Sequence, residues 1–104
     1  MLKLVLTQRA ESSLEEITDY YLTEHSFERT TKVIDSVEKA FDKIVASPKS
    51  YPVCFDIKQP TENIRQIIVH HTFKIVYRIQ KDKIEVIEIF HGKRNPELLA
   101  DIEG

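Results

Sequence analysis

The apolar residues of this chain change their period once, from a helical repeat in the first half to a strand alternation in the second, and that change limits the available folds. After Thr7, a residue suited to cap a helix, Ala10, Leu14, Ile17 and Tyr21 recur at helical spacing while Glu11, Glu15, Glu16 and Asp19 lie off the stripe. This predicts an amphipathic helix from near Gln8 to near His25. Ser26 can cap a second helix, in which Val33, Ile34, Val37, Phe41, Ile44 and Val45 mark one face until Pro48 stops it. So short a junction makes the two helices pack antiparallel. Beyond an irregular, proline-interrupted connection over 47–63, the runs Ile64 to Val69, Phe73 to Gln80 and Ile84 to Phe90 are β-branched and aromatic, as in an antiparallel meander. A short apolar strand over 2–6 precedes the helices, and Asn95-Pro96-Glu97 can begin a short helix that returns Leu98, Leu99 and Ile102 to the body. The fold class expected is α+β, in one domain over 1–104.

Side-chain direction follows from register. With two-residue loops at His71-Thr72 and Lys81-Asp82, Arg65 falls opposite Arg78, Arg78 opposite Glu85, and Tyr77 opposite Val86. One face then carries Ile64, Ile68, Phe73, Ile75, Tyr77, Ile79, Ile84, Val86 and Phe90, enough to receive the helical hairpin. The reverse face carries Arg65, Lys74, Arg78, Glu85 and His91 around Ile67, Val69, Val76, Ile87 and Ile89, and is expected to lie uncovered for an external guest. Glu88 conflicts with this register, since it falls among the helix-facing residues; it needs either a partner at the rim or a different register.

Charge supports the asymmetry. The 104 residues carry 15 basic and 17 acidic side chains, a formal charge of −2, which argues against a surface that binds nucleic acid or anionic membrane all over. Yet residues 63–96 hold seven bases (Arg65, Lys74, Arg78, Lys81, Lys83, Lys93, Arg94) against three acids, a local +4. An anionic partner suits that half. The chain's 2 glycines exclude the glycine-rich loops that cradle dinucleotides and nucleoside triphosphates, and no such cofactor is expected. Adjacent strand residues His70 and His71 point to opposite faces without a third ligand at suitable spacing, so no metal centre is expected. Cys54 is the single cysteine, without a neighbouring base, and reads as packing in a reducing compartment. Apolar runs long enough for a membrane span or an export leader are missing, so the cytoplasm is the expected location.

The segments Ile64-Arg65-Gln66-Ile67-Ile68-Val69, Phe73-Lys74-Ile75-Val76-Tyr77-Arg78-Ile79 and Val86 through His91-Gly92-Lys93-Arg94-Asn95-Pro96, with Ala46-Ser47-Pro48 and Tyr51-Pro52 before them, resemble the RelE/ParE family of bacterial type II toxins. The resemblance covers almost the whole chain, and the Tyr-Arg-Ile strand and the terminal His-x-x-Arg-x-Pro run are similar to ParE-type plasmid-stabilisation toxins. It implies an N-terminal strand, helical hairpin, three-stranded meander and short C-terminal helix. It also implies a cognate antitoxin as partner in an oligomeric complex, and either DNA gyrase or the ribosome with its mRNA as target. Target or antitoxin contacts would fall on Arg65, Lys74, Arg78, His91, Lys93 and Arg94. An endoribonuclease would instead need phosphate-holding cations and an acid and base, for which Arg65, Arg78, His91 and Glu85 are the candidates. The chain departs from the RelE-like pattern in that no tyrosine follows Tyr77 and the connection before the sheet offers only Lys49 and Lys58 as cations. Its acidic balance is also unlike that of a nuclease working inside the ribosome. The ParE-like, gyrase-directed reading is preferred, with RNA cleavage second and an inactive antitoxin-binding module third.

Overall fold

The computed structural model describes residues 2–55, 61–69 and 73–91. Strand β1 (Lys3–Leu6) leads into helix α1 (Gln8–Glu24), which is followed by α2 (Phe27–Ala46), a 3-10 turn at Pro48–Ser50, and strands β2 (Ile64–Val69), β3 (Phe73–Ile79) and β4 (Lys83–His91). Both predicted caps form. The Thr7 hydroxyl accepts from the Ala10 amide and donates to the Ile87 carbonyl at 2.9 Å, so the residue that starts α1 also ties it to β4. Ser26 accepts from the Arg29 amide at the start of α2. Pro48 follows one residue after α2 and occupies the first position of the 3-10 turn.

The sheet has four strands in the order β1-β4-β3-β2, with β1 added parallel to β4 at one edge and β2 forming the other. Helices α1 and α2 pack on one face, against a core that includes Ile17, Tyr21, Val37, Ile44, Ile75, Tyr77, Ile84 and Ile89. Among the described residues no helix is long and apolar enough to cross a membrane. The predicted C-terminal helix over Asn95 to Ile102 lies outside the described residues.

Two features of the sheet differ from the register expected from two-residue loops. Val69 pairs with Phe73, which leaves three residues, 70–72, to connect β2 and β3, so Arg65 lies opposite Tyr77 and Ile64 opposite Arg78. One added loop residue turns every β2 side chain over. Ile67 and Val69 therefore face the helices, whereas Ile64, Gln66 and Ile68 face the other way. The second difference is a bulge in the β3–β4 ladder: Val76 pairs with Glu88 and Tyr77 with Val86, leaving Ile87 as the extra residue. Past it, Ile89 joins the helix-side core and Phe90 the reverse face, the opposite of strict alternation.

The bulge also resolves Glu88. Its side chain is buried and meets the first two turns of α1, where Arg9 Nε lies 2.7 Å from one carboxylate oxygen and Ser13 Oγ donates to the other. The Ile89 amide donates to the same carboxylate at 2.9 Å. A charge that simple alternation would bury against apolar helix residues is thus redirected to three donors.

Candidate functional site

The reverse face of the sheet is built by alternation along β2, β3 and β4. It carries Lys74 and Arg78 from β3, Glu85 from β4, and Gln66 and Ile68 from the edge strand β2. Arg78 and Glu85, paired as expected, approach to 3.4 Å with both side chains about a quarter exposed at 28% and 23%. Such a half-solvated pair contributes on the order of 1 kcal/mol or less. It orients the guanidinium and still leaves it accessible to a guest.

The apolar part of this face is less bare than the sequence suggests. Ile64, Val76, Ile87 and Phe90 are buried in a second small cluster together with Cys54, whose thiol is enclosed as a packing group. Cys54 is delivered there because its segment runs along β2: the Cys54 amide donates to the Ile64 carbonyl, and the Gln66 amide donates to the Pro52 carbonyl. On this face Ile68 remains exposed at 56%, and Phe55, next to Cys54 in sequence, is exposed at 76%.

Arg65 belongs elsewhere. It was expected beside Arg78 on the open face, but the register places it opposite Tyr77, on the helix side. Its guanidinium is spent on backbone carbonyls: Nε donates to Glu62 at 2.9 Å, and Nη1 donates to Lys49 at 3.0 Å and Tyr51 at 2.8 Å. The side chain therefore pins the connection between α2 and the sheet. Neighbouring Tyr77 does the same, its hydroxyl donating to the Pro48 carbonyl at 2.6 Å. Of the other predicted site residues, His91 is the last of β4 with its backbone opposite Phe73, while Lys93 and Arg94 lie outside the described residues, as do His70 and His71. Among the described residues, no three His, Cys, Asp or Glu side chains gather as a metal site.

Burial pushes the Tyr77 phenol up to about 12, against a smaller lowering by Arg65 and a further rise from Tyr51. The unfolded phenol releases its proton near 10 and the folded one only near 12, so stability is intact below pH 10, falls through pH 10 to 12, and levels off above. The full loss is about 3 kcal/mol, a value set by the ~1.4 kcal/mol per unit of displacement. Urea titrations between pH 9 and 12 are expected to lose this alkaline component in Tyr77→Phe; an unchanged profile would count against the enclosed phenol.

The structure also holds features that strand periodicity did not reveal. Gln66 Oε1, on the reverse face, is buried and meets no hydrogen-bond donor among the described residues. Lys39 and Lys43, exposed on α2, flank a groove whose floor is Ile67, Ile68 and Val69. Their spacing of one helical turn was visible, but not which strand they would border.

A family model for the ParE toxin of the parDE type II toxin-antitoxin system matches residues 4–96. Among solved structures, the chain is similar to one described as a chromosomal ParDE TA system from P. aeruginosa, at 16% identity and a TM-score of 0.70, over 88% of this chain and 96% of that one. At that identity the likeness concerns the fold. No curated protein matches the chain.

Proposed function

The chain belongs to the ParE toxin family of type II toxin-antitoxin systems, and from that membership we propose that it arrests bacterial growth by acting on DNA gyrase and is silenced by a cognate antitoxin that covers its reverse face. Lys74 and Arg78 on that face, with His91, Lys93 and Arg94 at and beyond the end of β4, are the contact residues of this reading, and Arg65 acts behind them by holding the connection that supports β2. The observation that carries the choice of target is the separation of Arg65 from Arg78. Cutting RNA through its 2′-hydroxyl needs cations gathered on one phosphate as charge accumulates. Arg65 and Arg78 lie on opposite faces, and Arg65 is already engaged by three carbonyls.

The test is tightly controlled expression with plasmid supercoiling, double-strand DNA breaks and transcript cleavage on ribosomes followed in the same cells. DNA damage or lost supercoiling is expected before any transcript is cut, and co-expressed antitoxin is expected to restore growth. Early transcript cleavage at intact supercoiling would replace gyrase by the ribosome. Lys74→Ala combined with Arg78→Ala is expected to weaken target binding by about tenfold or more while the chain stays folded, because interfacial charges each contribute on the order of 1 kcal/mol. Undiminished growth arrest in that variant would remove the reverse face from the reading.

A further inference from the structure

The two helices carry an apolar stripe that the sheet does not use. On α2, Phe27, Ile34 and Phe41 recur every seven residues, and on α1, Leu14, Thr18 and Leu22 recur every four, so each set runs along one side of its helix. Leu14 and Phe41 still pack partly on the core, but exposure grows toward the His25-Ser26 junction. On either side of it, Leu22 is 49% and Phe27 78% exposed. Phe27 has no structural task there. The Ser26 hydroxyl caps α2 by accepting from Arg29, and the first helical position needs no ring. An aromatic ring and a leucine kept in water at one end of a half-buried stripe are surface for a partner to cover.

The charge bordering the stripe has one sign. Glu11, Glu15 and Asp19 stand three residues before Leu14, Thr18 and Leu22 and form the neighbouring row on α1, while Glu38 stands between Ile34 and Phe41 on α2. All four are exposed, and none has an ion-pair partner among the described residues. After Arg9, α1 holds no lysine or arginine. Acids four residues apart repel one another along a helix, so this row works against the fold that carries it. An opposing cationic surface would relieve it.

That combination specifies the partner. A second copy of the chain brings the same acids, and a nucleic acid brings phosphates, so both are disfavoured by like charge. The acidic guest that suits Lys74 and Arg78 on the reverse face does not suit the hairpin either. A protein surface rich in lysine and arginine does, and proteins that hold DNA carry such surfaces to neutralise its phosphates. The hairpin lies across the sheet from Lys74 and Arg78, which leaves both faces open to simultaneous contact.

We propose that the outer face of the α1–α2 hairpin engages the target protein, with Glu11, Glu15, Asp19 and Glu38 set against a cationic surface that otherwise holds DNA, and Phe27 and Leu22 entering an apolar recess beside it. The source of that surface, resting on the reading above, is DNA gyrase.

The experiment uses the full chain and purified gyrase, free or loaded with linear duplex DNA, with binding followed by calorimetry. Saturable binding to the free enzyme is expected, weakened by salt and displaced by duplex DNA. Glu11→Lys combined with Glu15→Lys and Asp19→Lys should weaken it by roughly tenfold or more, because three charges are reversed at a contact. Phe27→Ser should weaken it by a similar factor, since it removes an aromatic anchor. Circular dichroism establishes that each variant folds; should the triple variant fail, Phe27→Ser and the salt dependence decide. The proposal falls if gyrase binding is indifferent to both variants, if only the DNA-loaded enzyme binds, or if the variants keep gyrase and lose neutralisation by the antitoxin. Each of those outcomes leaves the target reading standing. A parent chain that binds gyrase in neither form overturns that reading, and this surface with it.

Discussion

Glu88→Ala is expected to lower the free energy of unfolding by about 3 kcal/mol, because hydrogen bonds to a buried ionised group are worth about 1.5–3 kcal/mol each and their donors are left behind. The variant strands Ser13, itself buried, and frees the Ile89 amide inside the bulge. Arg9 suffers less, since its side chain is 44% exposed and returns to water. Arg9→Ala is accordingly expected to cost about 1 kcal/mol or less. For a domain of this length the Glu88 loss corresponds to a fall in Tm on the order of 15 °C, read directly by calorimetry. Glu88→Gln keeps the shape and one acceptor and should fall between the two. A Glu88→Ala protein as stable as the parent would mean that the carboxylate does not join α1 to β4.

Arg65→Ala is expected to cost about 2–3 kcal/mol, since one guanidinium serves three backbone carbonyls on two segments and each such bond is worth about 1 kcal/mol net. The loss should be localised: amide exchange at Cys54 and Gln66, which close the edge of β2, should accelerate more than exchange in β3. Arg65→Lys should recover little, because a single ammonium cannot reproduce the planar fork that reaches Glu62, Lys49 and Tyr51 together. Equal exchange rates in parent and variant would exclude the pinning role. The consequence for function is specific. Reduced toxicity in Arg65→Ala should track lost stability and be relieved at lower temperature, whereas reduced toxicity in Lys74→Ala with Arg78→Ala should not.

Much of the architecture was legible because local signals and global packing agree. Thr7 and Ser26 cap the helices they precede, Pro48 ends the second, and the 3.6-residue stripe through Ala10, Ile17 and Tyr21 is buried as the period requires. The β3–β4 hairpin also follows its loop, with Arg78 opposite Glu85 and Ile79 opposite Ile84. The candidate site was legible only in part. Lys74, Arg78 and Glu85 share a face as alternation demands, but Arg65 does not join them.

The order of elements, their caps and the division between helical and extended halves were determined by residue pattern alone, since capping, proline stops and apolar period act over a few neighbouring residues. Which way β2 faces, where β4 bulges and what meets Glu88 were decided only in the folded chain. A single residue in the count between Val69 and Phe73 inverts a strand, and local sequence carries little energy to choose between the two counts. The choice falls to packing: Ile67 and Val69 reach the core under α2, Arg65 finds its three carbonyls, and Glu88 finds Arg9 and Ser13. Two of those carbonyls lie 14 and 16 residues from Arg65, and Ser13 and Arg9 lie 75 and 79 residues from Glu88, so these partners exist only once the sheet and helices have met.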